Sequence, residues 1–252
     1  MSGENKPANN LDAAKGFLAA AVRIVTTLID SQEAAFAEAV DALVASVKAD
    51  GMIYLFGTGH SHMLAEEGHY RAGGLACVTP ILRSAVMLHE GAVAGTALER
   101  LPGLAERVLG GYAIGTRDVL MVFSNSGINA VPVEAAEFGR ARGAKVIAVT
   151  SQSYSRMAAQ GRKRLADLAD IVIDNHGPAG DALLALSPGG PMAGPVSTMT
   201  GAAILNALMV QTAVRLIAET GEAPVYVSAN MPGAAERNAA LVARYRKRNP
   251  HL

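Results

Sequence analysis

Three short stretches of the 252-residue sequence combine glycine with hydroxyl and amide side chains: Gly57-Thr58-Gly59-His60-Ser61, Ser124-Asn125-Ser126-Gly127-Ile128-Asn129 and Thr150-Ser151-Gln152-Ser153. Glycine lets the backbone approach an anion, and a helix starting just after such a turn aims its unpaired amides at it. No lysine is clustered with these turns, so the chemistry they suit is a phosphomonoester held by neutral donors, unlike a triphosphate in a P-loop. A dinucleotide fingerprint is also missing, because His62 stands where the third glycine of G-x-G-x-x-G would be. Acid–base candidates lie close by in the sequence. Glu66 and Glu67 follow the first turn on a helix expected to begin near Ser61, about 100° apart around its axis, so one faces a ligand when the other does not. Glu67 is the expected base, with Glu90 second. His89, beside Glu90 in a loop between apolar stretches, and His176, at the end of another apolar run, are the expected acids. On the same helix His62, Glu66 and His69 recur at four and three residues and could share a face toward a divalent ion, although their spacing matches no named metal motif.

These turns need elements to hold them. Met52–Phe56, Val119–Phe123, Val146–Val149 and Ile171–Ile173 are short aliphatic runs, each preceded by a helix-like stretch, which is the pattern of buried parallel strands. A Gly/Ser turn after a strand is an ordinary connection; three in register, each at a strand's carboxyl end, is the arrangement of a ligand site in an open parallel sheet. Helices are expected over 11–29 and 32–49 before the sheet, over 130–142 and 155–168 within it, and over 200–219 and 234–248 after it, with Gly143 as a C-terminal cap. The Ser197-Thr198-Met199-Thr200 hydroxyls open the helix expected from Thr200, one as its cap and another within reach of a sugar. The stretch 187–195 is expected to be a surface loop. The sum is an α/β fold, a doubly wound parallel sheet in one domain spanning 1–252, with helical additions at both ends.

Composition narrows the partners. The formal net charge is +0, from 22 basic and 22 acidic side chains, so there is no positive field to hold a nucleic-acid backbone. Half the residues are apolar and 17% are charged, the profile of a generous core. The one cysteine, Cys77, can make neither an internal disulfide nor a cysteine metal site. Residues 1–10 are polar, without the basic flank and apolar stretch of a signal peptide, and no uninterrupted apolar run is long enough to span a bilayer. A cytoplasmic protein with no membrane partner is expected.

With these residues in view, the chain resembles the sugar isomerase (SIS) domain, the phosphosugar-binding module of phosphoheptose isomerases, arabinose-5-phosphate isomerases and N-acetylmuramic acid 6-phosphate etherases. The resemblance covers about residues 35–215 and is carried by Phe123-Ser124-Asn125-Ser126-Gly127, which looks like the family's phosphate turn Ser-x-Ser-Gly-x-Thr, with Asp118-Val119-Leu120 before it and Val146 to Thr150 after it. Asn129 departs from the pattern, standing where the family has Thr. Gly57-Thr58-Gly59-His60-Ser61-His62 and Asn249-Pro250-His251-Leu252 bring the chain nearer to an SIS subgroup without an assigned reaction. The resemblance implies a flavodoxin-like five-stranded sheet, a homodimer or homotetramer with the site near a subunit interface, and a phosphorylated sugar as substrate. Its implied reaction is aldose/ketose isomerisation through an enediol, the alternatives being an etherase-type lyase and a non-catalytic sensor. Under it Ser124, Asn125, Ser126, Gly127 and Asn129 hold phosphate, with Gly57, Gly59, His60, Ser61, Thr150 and Ser151 around the sugar. No cofactor is implied, although zinc occurs in some phosphoheptose isomerases.

Overall fold

The structure, a computed structural model, describes residues 11–252; the polar stretch 1–10, read above for the lack of a signal segment, lies outside the described residues. Two helices, α1 (Asp12–Thr27) and α2 (Glu33–Lys48), lead into β1 (Ile53–Gly57). A 3-10 turn and the short α3 (His62–Glu67) follow, then β2 (Val78–Pro80), α4 (Ala92–Leu98), α5 (Leu104–Leu109) and β3 (Val119–Phe123). The chain continues through α6 (Ala130–Ala141), β4 (Lys145–Thr150), α7 (Gln152–Ala159), β5 (Ile171–Asp174), the pair β6 (Ala182–Ala185) and β7 (Met192–Pro195), α8 (Ser197–Thr220) and α9 (Ala234–Tyr245).

Strands β1 to β5 form a parallel sheet in the order β2-β1-β3-β4-β5, so the strand order reverses between β1 and β3. This is the flavodoxin-like arrangement, whose ligand crevice lies at that reversal. All five residues of β1 and of β3 are buried, as expected of strands covered on both faces by helices. One layer packs α6 against β3 and β4, with α5 against α6; another packs α2 against β1, β3 and β5, with α8 against α2. Tyr54, Phe56, Leu120, Met121 and Ile147 sit at the centre of the core with essentially no exposed surface. Cys77 is buried at the sheet edge, where loss of solvation pushes its thiol up to about 12, so it stays a neutral, apolar filler.

Three expectations change. The helix read over 155–168 is two pieces, because the chain turns left-handed at Gln160 and Gly161 and resumes only as a 3-10 turn at Leu165–Asp167. The loop read over 187–195 contributes strand β7, paired antiparallel with β6 beside α1. The fifth strand of the sheet is β2, three residues ending in proline at the sheet edge, too short to register as an apolar run. Helix α8 is long and apolar enough to cross a membrane, with an 18-residue window of mean hydropathy 1.5. Its Ile204, Leu205, Leu208 and Leu216 are instead buried in the core shared with the sheet.

Candidate functional site

The first turn leaves β1 at Gly57 and folds back at once. A side chain on Gly57 would run into the backbone carbonyl of Ser61, so only glycine permits this closure. Ser61 N–H donates to the Thr58 carbonyl, and His62 Nδ1–H donates to the Gly59 carbonyl. That bond fixes the tautomer: with its proton on Nδ1, neutral His62 presents a bare Nε2, which stands 3.7 Å from Glu66 Oε1. The His89 ring meets the His62 ring edge-on at 5.3 Å.

The second turn leaves β3 at Ser124. Gly127 adopts φ +61°, and a Cβ there would meet Thr150 Oγ1 at 2.8 Å, so the turn needs glycine for both conformation and space. Gly127 N–H donates to Ser124 Oγ, and the Gly127 carbonyl accepts from Leu165 N–H. The Ser126 hydroxyl makes no hydrogen bond within the described residues and is half-buried, three residues before Asn129, the N-cap of α6. An unengaged hydroxyl just ahead of a helix N-terminus is a donor an anion can use, at a terminus that also carries the Glu99 carboxylate on its N-cap Asn129 and the Glu99 carbonyl on Val131 N–H.

Thr150 and Ser151 lie behind this turn. Both are buried; Thr150 Oγ1 and Ser151 N–H donate to the Asn125 carbonyl, and Ser151 Oγ donates to the Gly177 carbonyl while accepting Tyr154 N–H as the cap of α7. They shape the turn from the rear, where sequence reasoning had placed them at the ligand. Between the turns, Ser61, Ser124, Asn125 and Asn175 line a narrow cleft together with Ser197, Thr198 and Gly201 at the start of α8, with an enclosed volume of about 10 Å³, room for about one water. Asp181 caps that helix, accepting from the Ser197 N–H and hydroxyl.

Two groups that sequence reasoning passed over belong to this assembly. Asn175, buried at the end of β5, lines the pocket and donates to Asn125 Oδ1. Glu99, just after α4, joins the two turns: one carboxylate oxygen accepts the Thr58 hydroxyl at 2.7 Å and the other accepts Asn129 Nδ2 at 2.7 Å. Its side chain is 15% exposed. Asn129 therefore spends one of its two amide hydrogens on Glu99 and keeps the other for a ligand.

The remaining candidates scatter. Glu67 accepts from Arg71 and from Asn206 Nδ2 of α8; neither it nor Glu66, Ser126, Gly127 or Asn129 is among the residues that line the cleft. Glu90 accepts the Ser84 hydroxyl and is exposed. His60 is exposed beside the first turn. His176 is turned toward the α1–α2 junction, its Nε2 2.7 Å from Ser31 Oγ and its Nδ1 3.5 Å from Asp174 Oδ2; its neighbour Asn175 takes the position at the pocket. His69 is also displaced from the expected trio, because α3 ends at Glu67 and the chain has left the helix by the time it reaches residue 69. It lies against His251, and His89 takes its place: ligand atoms of His62, Glu66 and His89 lie within 4.8 Å of one another. Two imidazoles and a carboxylate at that separation are a sound set for a divalent ion with nitrogen and oxygen ligands.

Comparison with known proteins agrees with this architecture. The model of the SIS domain family matches residues 16–151. A UPF0309 protein of Brucella canis is 52% identical over 225 residues, covering 89% of this chain and 93% of its own. Among solved structures, a phosphoheptose isomerase from Francisella tularensis superposes with a TM-score of 0.52 at 17% identity, over 81% of this chain and 98% of the other. An Escherichia coli protein solved in complex with a ligand gives 0.50 at 16% identity, over 85% and 94%.

Proposed function

The chain belongs to the SIS domain family, and from that premise we propose that it is a cytoplasmic sugar-phosphate isomerase working through an enediol. The observation that carries this reading is the second turn: a left-handed Gly127, an unengaged Ser126 hydroxyl and the start of α6 meet at the strand-order reversal. There the phosphate is held by Ser126 Oγ, Ser124 Oγ and the free Asn129 N–H. Ser61, Asn175, Ser197 and Thr198 face the sugar. Isomerisation moves a proton between C1 and C2, which takes a carboxylate free to accept it. Glu67, the choice from sequence, is engaged by Arg71 and by Asn206 Nδ2, so its oxygens are occupied by donors of this chain. Glu66 is the better base, exposed with its Oε1 3.7 Å from His62 Nε2 and no donor on it, with His89 as the acid that polarises the carbonyl. A divalent ion such as zinc, if bound by His62, Glu66 and His89, would polarise that carbonyl as a Lewis acid in place of His89 and would occupy the Glu66 carboxylate, so the two arrangements are alternatives.

Glu99 favours a second reading. A carboxylate joining both turns, on top of Glu66, supplies the acid and the base that eliminating a 3-substituent requires, as in an etherase-type lyase. A thermal-shift screen against sugar phosphates and their unphosphorylated parents tests both. A true ligand at about 100 times its dissociation constant adds about 2.7 kcal/mol, and the reading expects this only from phosphorylated sugars. Equal stabilisation by an unphosphorylated parent sinks the phosphate anchor, and lactate release from a muramic acid 6-phosphate selects the lyase.

The assembly belongs to the same proposal. From Ser197 to Val214 the sequence of α8 carries no charged residue, yet Met199, Val210, Val214 and Ile217 are exposed, with Leu18 and Val22 exposed on the neighbouring α1. A solvated helix face carries charge; one without it is covered. A second copy packed on this face makes the homodimer, beside the α8 residues that line the pocket. Sedimentation should return twice the chain mass of 26.0 kDa or a multiple of that; a single-chain mass contradicts it.

A further inference from the structure

Glu99 places a negative charge beside the very donors on which the second turn is to hold another. Its carboxylate accepts the Thr58 hydroxyl and Asn129 Nδ2, each at 2.7 Å, and its backbone carbonyl accepts Val131 N–H at 3.0 Å. Pro132, the next residue of α6, has no N–H to offer. Of the first three positions of this helix, only Ala130 keeps an N–H for a ligand. Compensation of the carboxylate is partial. Arg100 Nη1 lies 3.5 Å from it, but that side chain is 55% exposed and also donates to the Thr96 carbonyl, so solvent screens the pair. The two other cations around Asn129 are turned elsewhere: Lys163 pairs with Glu137, and Arg162 donates to the Ala158 and Ala159 carbonyls. An anion with two of its about four lone-pair sites unused therefore stands at the turn.

That arrangement discriminates between oxyanions. A phosphate oxygen bound to the second Asn129 hydrogen shares its nitrogen with Glu99, and two acceptors about 2.8 Å from one amide nitrogen, about 120° apart, lie about 5 Å from each other. The remaining oxygens of the same phosphate crowd into that gap, so one of them meets the carboxylate. If it is ionised, the two like charges repel far more strongly in this partly buried place than in water. If it carries a hydrogen, it donates to Glu99 in a charge-assisted bond. A phosphomonoester has that hydrogen near neutral pH, because its second ionisation falls at about pH 6. Sulfate has the same shape and none. A turn built of neutral donors alone would hold the two alike.

We propose that Glu99 is a specificity-determining residue of the second turn, admitting a phosphate that brings a hydrogen to its carboxylate and rejecting a fully ionised oxyanion such as sulfate. The ligand class narrows to phosphomonoesters bound as monoanions. The inference rests on the second turn being the phosphate anchor. A plain structural tie between the two turns would behave differently. Loss of a tie weakens every anion alike, whereas loss of a selecting carboxylate strengthens sulfate.

Calorimetric titration with inorganic phosphate and with sulfate, at about pH 6.5 and constant ionic strength, tests it. The wild type should bind phosphate at least about tenfold more tightly than sulfate. Glu99→Gln keeps a bridge, Oε1 accepting from Asn129 and Nε2 donating to the Thr58 oxygen, while the charge is gone. In this variant sulfate should bind about tenfold more tightly than in the wild type, and the preference for phosphate should shrink to about twofold or less. A wild type that binds the two anions alike, or a variant that keeps the wild-type preference, overturns the proposal and leaves the anchor standing. A variant with the native melting temperature that binds both anions more weakly makes Glu99 a tie and overturns it too. If neither anion binds to wild type or variant, the phosphate anchor itself falls, and this inference with it. Should Glu99→Gln fail to fold, Glu99→Ala, which removes the same charge, is held to the same expectation.

Discussion

Replacing Glu66 by Gln is expected to lower turnover about 100-fold or more while leaving substrate affinity within about threefold. The amide keeps the size of the side chain and its place beside His62 but cannot take a proton from carbon. Glu66 is exposed, so the fold should not change, and a melting temperature near that of the wild type would establish this. The comparison that gives the result meaning is Glu67→Gln. Glu67 is held by Arg71 and Asn206, and its loss should cost far less turnover. If the two variants exchange roles, the base is Glu67, as its sequence position alone had indicated, and the Arg71 pairing must open when substrate binds.

The second large effect concerns the anchor. Ser126→Ala removes a hydroxyl that would donate to a charged phosphate oxygen, and affinity for a sugar phosphate should fall by about 1.5–3 kcal/mol, which is about 10- to 150-fold in dissociation constant. Because Ser126 bonds to nothing else in the described residues, stability should be unaffected. This separates it from Thr150 and Ser151, whose hydroxyls hold the turn from behind; changing those would weaken binding and stability together. Calorimetry that finds unchanged affinity in Ser126→Ala would place the anchor elsewhere.

Much of the frame was legible because buried parallel strands are written locally. Val119–Phe123 was read to its true ends, and the runs at 52–56, 146–149 and 171–173 each fall within one residue of a strand's bounds. Helix α6 closes with Arg142 and a left-handed Gly143, as its sequence announces. The errors came where local signals are weak or conflict. Arg162 to Leu168 contains good helix formers, but Gln160 and Gly161 turn the chain before them. The loop read over 187–195 holds only at the hairpin tip, Gly189-Gly190-Pro191; Met192–Pro195, with a glycine and a closing proline, is strand β7. The site divides in the same way. The two glycine turns and their hydroxyls announce themselves over five or six residues, whereas Glu99 owes its place to partners 41 and 30 residues away. His89 and His69 trade roles for a similar reason. The short α3 ends at Glu67, a fact no helical spacing rule anticipates, and the contact between His89 and His62 depends on how the chain returns after β2.

The central claim is that a carboxylate beside the first glycine turn, Glu66, moves a proton at C2 of a bound sugar phosphate. The most direct measurement is to incubate the wild-type protein in deuterated water with the sugar phosphate that stabilises it best, and to follow C2 by NMR. An enediol base that equilibrates with solvent leaves deuterium there, so the account predicts exchange at C2, accompanied by the isomeric sugar phosphate, and its loss in Glu66→Gln. A tightly bound sugar phosphate that the wild type neither exchanges nor converts would contradict it, leaving a protein that senses its ligand without transforming it.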